Sequence, residues 1–137
     1  MVAYSFQRQF VEPILVGRKL QTIRAHRKRH ARPGEEMQLY FGLRTLSARL
    51  ICRRRCIGVN PIRLTFDDRD LEREGYSIDD IEPGFVSSRP FGGDVDGFAR
   101  RDGFGSWADL KAFWREHHPG VDEFEGVLIR WAAQAAP

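Results

Sequence analysis

Between Ala48 and Val59 the chain alternates, with Leu50, Cys52, Arg54 and Cys56 on one parity and Arg49, Ile51, Arg53 and Arg55 on the other. Successive side chains of a strand point to opposite faces, so the alternation predicts one long strand with a partly basic face. Such a strand cannot be buried on both sides, and it calls for a sheet with one face on a core and the other in water. Cys52 and Cys56 are the only cysteines. Four residues apart on a strand they lie about 13 Å from one another, too far for a disulfide, and they read as reduced thiols of a cytoplasmic protein.

Other segments read as elements around that strand. Ala3 to Phe6 reads as an opening strand. Pro13 at a first helical position, followed by Ile14, Leu15, Val16 and Gly17, predicts one or two helical turns closed by a glycine. Thr22 to Ala25 reads as a strand whose alternation places Leu20, Thr22 and Arg24 on one side and Gln21 and Ile23 on the other. The Pro33-Gly34 pair marks a turn before a strand from Glu36 to Tyr40. Ile62 to Phe66 is a weaker strand candidate. Residues 67 to 90 are acidic and irregular and suggest a loop region with a helical turn at 78 to 82, and the glycines from Gly92 to Gly97 are expected to break the chain before Phe98.

Ser106 is a good helix cap, Trp107, Leu110, Phe113 and Trp114 recur at helical spacing, and Pro119-Gly120 ends the run, which predicts a helix over 107 to 117 with an aromatic stripe in the core. Phe124 to Trp131 reads as the last strand, with Val127, Ile129 and Trp131 on one face. Many strands with one late helix and one short early helix indicate a compact α+β barrel. At 137 residues there is room for one domain, 1–137, with an irregular insertion at about 67–97. No apolar run is long enough for a membrane span, and the residues from Met1 to Phe6 show no apolar core behind a basic start, so a soluble, unexported protein is expected.

Charge is unevenly spread. Residues 1 to 55 hold thirteen Lys or Arg against only Glu12, Glu35 and Glu36, whereas the rest holds nine against sixteen acids. That asymmetry makes a field attractive to polyanions, with phosphate contact as the functional reading and a solvated face paired with the acidic half as the plain one. His26 and His30 lie in the basic run and suit solvent or phosphate, while His117 and His118 suit the carbonyl end of a helix. The histidines and cysteines supply no ligand set, so neither metal nor cofactor is expected.

Gly17-Arg18-Lys19-Leu20-Gln21-Thr22-Ile23-Arg24, between a short helix and a strand, resembles the ASCH family of the PUA-like superfamily. Phe98-Ala99-Arg100-Arg101-Asp102-Gly103-Phe104, the helix from Trp107 and the closing strand look like the family's later acidic motif, helix and last strand. The resemblance spans almost the whole chain except the 67–97 insertion. It implies a small mixed β-barrel, with the short N-terminal helix and the later helix packed against it, and a cleft that accepts RNA or a modified nucleoside. Characterised relatives include amidohydrolases that remove the acetyl group of N4-acetylcytidine with a lysine, a threonine and a glutamate. Lys19 and Thr22 match the first two, and Asp102 stands where the acid would be, shorter by one carbon–carbon bond of about 1.5 Å.

Amide hydrolysis needs an activated nucleophile, a proton carrier for the leaving amine and positive groups near the oxyanion. Thr22 is the candidate nucleophile, Lys19 its base if burial lowers its pKa, and Asp102 the group that orients Lys19 or shuttles the proton. Arg18, Arg24, Arg27, Tyr40 and Arg44 are the candidate ligand- or phosphate-binding residues. The alternatives are an RNA-binding domain that uses the basic face and a metal-independent ribonuclease. Oligomeric state is left open.

Overall fold

The computed structural model describes residues 2–79, 81–85 and 94–135. The alternating segment becomes β4, Arg49–Thr65, and the two strands expected at 48–59 and 62–66 are one 17-residue strand. It runs through Pro61 without losing a ladder bond. Along one edge β4 pairs with β3, Glu36–Phe41, as far as Arg55, and with β5, Gly75–Ile78, from Ile62 onward. Pro61 sits in the interval between these partners, where its carbonyl accepts from Asp79 N at 3.1 Å and a missing N–H removes nothing.

The other edge of β4 carries β7, Glu123–Ala135, in an antiparallel ladder from Arg54 to Thr65 with register shifts around Cys56. β7 in turn pairs with β2, Gln21–Arg24. β1, Val2–Phe6, lies parallel to β3, and β6, Ile81–Phe85, antiparallel to β5. The fold among the described residues is therefore α+β around a mixed seven-stranded sheet. Its path β1-β3-β4-β7-β2 ends on two strands with no backbone pairing to one another, so the sheet is not closed. Side chains bridge the seam instead. Arg24 Nη2 donates to Ser5 O at 2.7 Å and Arg27 Nη2 to Ala3 O at 3.5 Å.

Three short stretches differ from expectation. The first helix, α1, spans Val11–Leu15 after a 3-10 turn at Arg8–Phe10, so Pro13 is not its first residue. Where a helical turn is expected at 78 to 82, Ile78 ends β5 and Ile81 opens β6, with residue 80 outside the described residues, and the 67–97 region read as irregular also holds a 3-10 turn, Leu71–Arg73. Instead of breaking the chain up to Gly97, residues Val95–Arg101 form α2; Gly92 and Gly93 lie outside the described residues. Asp94 caps α2 by accepting from Gly97 N at 2.8 Å, and a Cβ at Gly97 would meet the Asp94 carboxylate at 2.4 Å. The glycine that looked like a breaker makes room for the cap.

The helix read at 107–117 is α3, with Ser106 Oγ accepting from Asp109 N at 3.2 Å as its cap. Two apolar clusters flank the β4–β7 ladder. One gathers Tyr4, Phe6, Met37, Leu39, Ile129 and Trp131; the other joins Leu64, Phe66, Phe98, Trp107, Leu110 and Leu128. Phe104 and Phe113 pack against both. No helix among the described residues is long and apolar enough to cross a membrane. Phe98 is fully buried and stacks on Tyr76 at 4.0 Å, so Phe98→Ala should destabilise the chain by about 3–5 kcal/mol. Urea unfolding reads this as a lower midpoint at an unchanged slope.

Candidate active site

Lys19 is turned inward by the end of α1. Gly17 adopts φ +80°, and the amides of Arg18 and Lys19 both donate to Pro13 O at 2.9 Å. The neighbouring side chains then part, Arg18 to solvent and Lys19 to the interior. Leu20 N donates to Arg101 O at 2.7 Å, and Trp131 N donates to Leu20 O at 3.0 Å, so α2, the Lys19 segment and β7 are tied at one point. Asp102 follows the last turn of α2 and is delivered to the same place. Gly103 holds φ +99°, and a Cβ there would meet Lys19 Cδ and Phe10 Cδ1 at 3.0 Å, so the turn admits only glycine without displacing the lysine.

Lys19 is 3% exposed and Asp102 5%. The Lys19 ammonium donates to Asp102 O at 2.5 Å, lies 3.9 Å from Asp102 Oδ1, and sits over the Phe10 and Phe6 rings at 4.6 and 5.6 Å. Gln21 Nε2 donates to Asp102 Oδ1 at 3.3 Å. Burial brings the Lys19 pKa down from 10.5 to about 8, against the pull of Asp102 and with the help of Arg24. Burial pushes the Asp102 carboxyl up, although Lys19, the Gln21 hydrogen bond and Arg24 all oppose it. Both members of the pair are thus moved toward their neutral forms, which makes a proton easy to pass between them and a ligand.

Thr22 and Arg24 share one face of β2, as the alternation predicts. Arg24 Nε donates to Thr22 Oγ1 at 3.0 Å, and the guanidinium lies over Phe6 at 4.8 Å and Tyr4 at 5.4 Å. Burial lowers even this arginine to about 10. The guanidinium fixes the threonine oxygen and stabilises negative charge on it, leaving the hydroxyl proton free to be removed.

Lys19, Thr22, Arg24 and Asp102 line a single cavity of about 290 Å³ beside the open seam between β1 and β2. Its apolar walls include Phe6, Phe10, Phe104, Phe113, Trp114 and Phe124. The volume sits at the small end of ligand pockets, and a few convergent polar groups among aromatic walls suit one planar polar ring with a small substituent.

Not every candidate residue arrives there. Arg18 is exposed and pairs with Glu12 at 3.4 Å. Arg27 lies over the Tyr4 ring at 4.6 Å and donates to Arg29 O, outside the cavity wall. Tyr40 donates to Gln38 Oε1 at 3.4 Å, and Arg44 stands on an exposed turn; neither lines the cavity. His30 is not turned to solvent or phosphate: its Nε2 donates to Ala25 O, its Nδ1 accepts from the Tyr4 hydroxyl, and burial lowers its pKa. Cys52 and Cys56 are both free, and no metal-ligating cluster occurs among the described residues.

Sequence reasoning missed Gln21, assigned to the face away from Thr22, and His118 at the cavity rim, where its ring stacks on Trp114 at 4.4 Å. A buried position for Gln21 carries no signature in a four-residue strand. Scanned against family models, curated proteins and solved structures, the chain finds no match.

Replacing the carboxylate by its neutral isostere tests the pair. Because Asp102 raises the Lys19 pKa, Asp102→Asn should drive it further below about 8, as read by NMR titration of the lysine side chain. An unchanged or higher value would show that the two groups do not interact as described.

Proposed function

We propose that this chain is an ASCH-type, PUA-like cytoplasmic protein whose cavity hydrolyses the acyl amide of an N4-acylated cytidine or a related modified nucleoside. The observation that carries the reading is a buried lysine, brought to about 8, sharing one small aromatic cavity with a threonine hydroxyl, an arginine and an acid. The curled sheet reads as a barrel whose seam, bridged by Arg24, is the ligand entrance. The shorter aspartate fits this reading. Lys19 is held by the backbone carbonyl of Asp102 as well as by its carboxylate, so the missing carbon does not strip the lysine of its contact.

In the reaction, neutral Lys19 takes the Thr22 proton as Oγ1 bonds to the acyl carbon, with Arg24 stabilising the oxygen charge that develops. Lys19 then returns the proton to the departing exocyclic nitrogen as the carbon–nitrogen bond breaks, leaving cytidine and an acyl ester on Thr22. Water, deprotonated by the same amine, hydrolyses the ester and restores the hydroxyl. Asp102, whose carbonyl and carboxylate hold the amine, steadies the ammonium formed in each half of the reaction.

Purified protein should release cytidine from N4-acetylcytidine, followed chromatographically. Lys19→Ala and Thr22→Ala should each lower the rate by about 10²-fold or more while leaving the protein folded. A Lys19→Ala variant with wild-type turnover would rule the mechanism out.

The active form of Lys19 is the one without its extra proton, so kcat/KM should climb with pH and level off above about 8. At pH 7 only about a tenth of the lysine is neutral on this basis. A flat profile from pH 6.5 to 9 would remove Lys19 from the role of base.

A second reading, RNA binding, is favoured by the exposed Arg53 and Arg55 on the outer face of β4 and by the Arg27 loop beside the seam. Binding through these residues would weaken steeply with salt, whereas turnover of a nucleoside enclosed in the cavity would barely change.

A further inference from the structure

A second depression, of about 440 Å³, lies across Phe104 from the Lys19 cavity, and Phe104 lines both. Its wall includes three arginines, Arg18 three residues beyond α1 and Arg100 and Arg101 from the last turn of α2, together with Gly103 and Gly105. Two of these arginines have only weak partners, while Arg101 also hydrogen-bonds the Tyr76 hydroxyl. Arg18 meets Glu12 at 3.4 Å and Arg100 meets Asp94 at 3.7 Å, all four side chains largely exposed, and exposed pairs of this kind hold their charges loosely.

One turn of chain serves both cavities. Arg101 lines the depression while its carbonyl anchors Leu20, and the next residue, Asp102, receives Lys19 on the opposite side. An anion in the depression and a ring in the cavity would therefore be held by the same rigid segment.

The geometry points to a phosphate subsite: Arg18, Arg100 and Arg101 bind the phosphate ester of the ligand whose base enters the Lys19 cavity, so the preferred ligand is a nucleoside monophosphate rather than a free nucleoside. This rests on the nucleoside reading of the cavity, but the subsite can be tested apart from it. Planar guanidinium groups suit the oxygens of a phosphate, and several of them around one depression select a group with more than one anionic oxygen. The residue singled out in the sequence as a ligand contact but absent from the cavity, Arg18, acquires a role next door.

The first arm of the experiment titrates inorganic phosphate into the full chain and follows it by phosphorus NMR. Saturable binding is expected, reduced about tenfold or more by Arg100→Gln with Arg101→Gln, and separately reduced by Arg18→Gln on the other element. The second arm compares binding of cytidine with that of its 5′- and 3′-monophosphates by calorimetry. At least one monophosphate should bind about tenfold tighter, and the gap should close in the arginine variants.

Phosphate binding with no response to cytidine would uphold the subsite and count against the nucleoside reading. Equal binding of cytidine and both monophosphates, or phosphate binding indifferent to all three arginines, would overturn the subsite. If the double variant loses thermal stability without losing phosphate, its arginines serve only the carbonyl end of α2, and the proposal falls.

Discussion

The antiparallel ladder between β4 and β7 is the constraint on which the other parts depend. Over Arg54 to Thr65 it joins two strands of 17 and 13 residues, and every other strand attaches directly or in turn to one of them. The ladder divides the apolar side chains of β7, sending Ile129 and Trp131 to one cluster and Leu128 to the other. Two cores on opposite faces follow from strand alternation alone. What remains unsatisfied is the pair of sheet ends, β1 and β2, which approach closely enough for arginine side chains to cross between them.

That seam explains where the polar residues collect. A closed ladder would leave no place for a ligand among the backbone groups, whereas an unpaired seam leaves room for side chains and solvent. Arg24 supports the edge of β1 and the oxygen of Thr22 at once, so the same guanidinium holds the sheet ends together and orders the cavity. Phe104 and Phe113, which touch both cores, form part of the wall. The cavity is thus a product of the fold's incomplete closure and of the aromatic residues that link its two halves.

Burying a lysine and an aspartate together is unfavourable unless they meet, and here they do. Their pKa values move toward one another, Lys19 downward and Asp102 upward, with desolvation as the leading cause in both cases. For stability the sign is opposite to that of an exposed ion pair. The unfolded lysine keeps its proton up to about 10.5 while the folded one releases it near 8, so this group's contribution grows as pH rises between the two. A site that worked only by binding an anion would gain nothing from this loss of charge.

Alternation and capping are local, and they were readable in order along the chain: the β4 pattern, the α3 helix with Ser106 before it, and the face shared by Thr22 and Arg24 all follow from spacing. The same local rules failed where a residue's reason lay elsewhere. Gly97 looked like a breaker because the carboxylate it accommodates is three residues away in a capped turn, and residues 75–85 looked irregular because their strand pairing depends on β4. Composition and period thus determined an α+β chain with one long strand carrying a partly basic face, while the motif resemblance, not the period, pointed to Lys19, Thr22 and Asp102. Only the tertiary structure decided that these three meet, that Arg18, Tyr40 and Arg44 stand apart from them, and that the lysine is dry. A separation of more than eighty residues carries no periodic signal, and desolvation is a property of what surrounds a group in space.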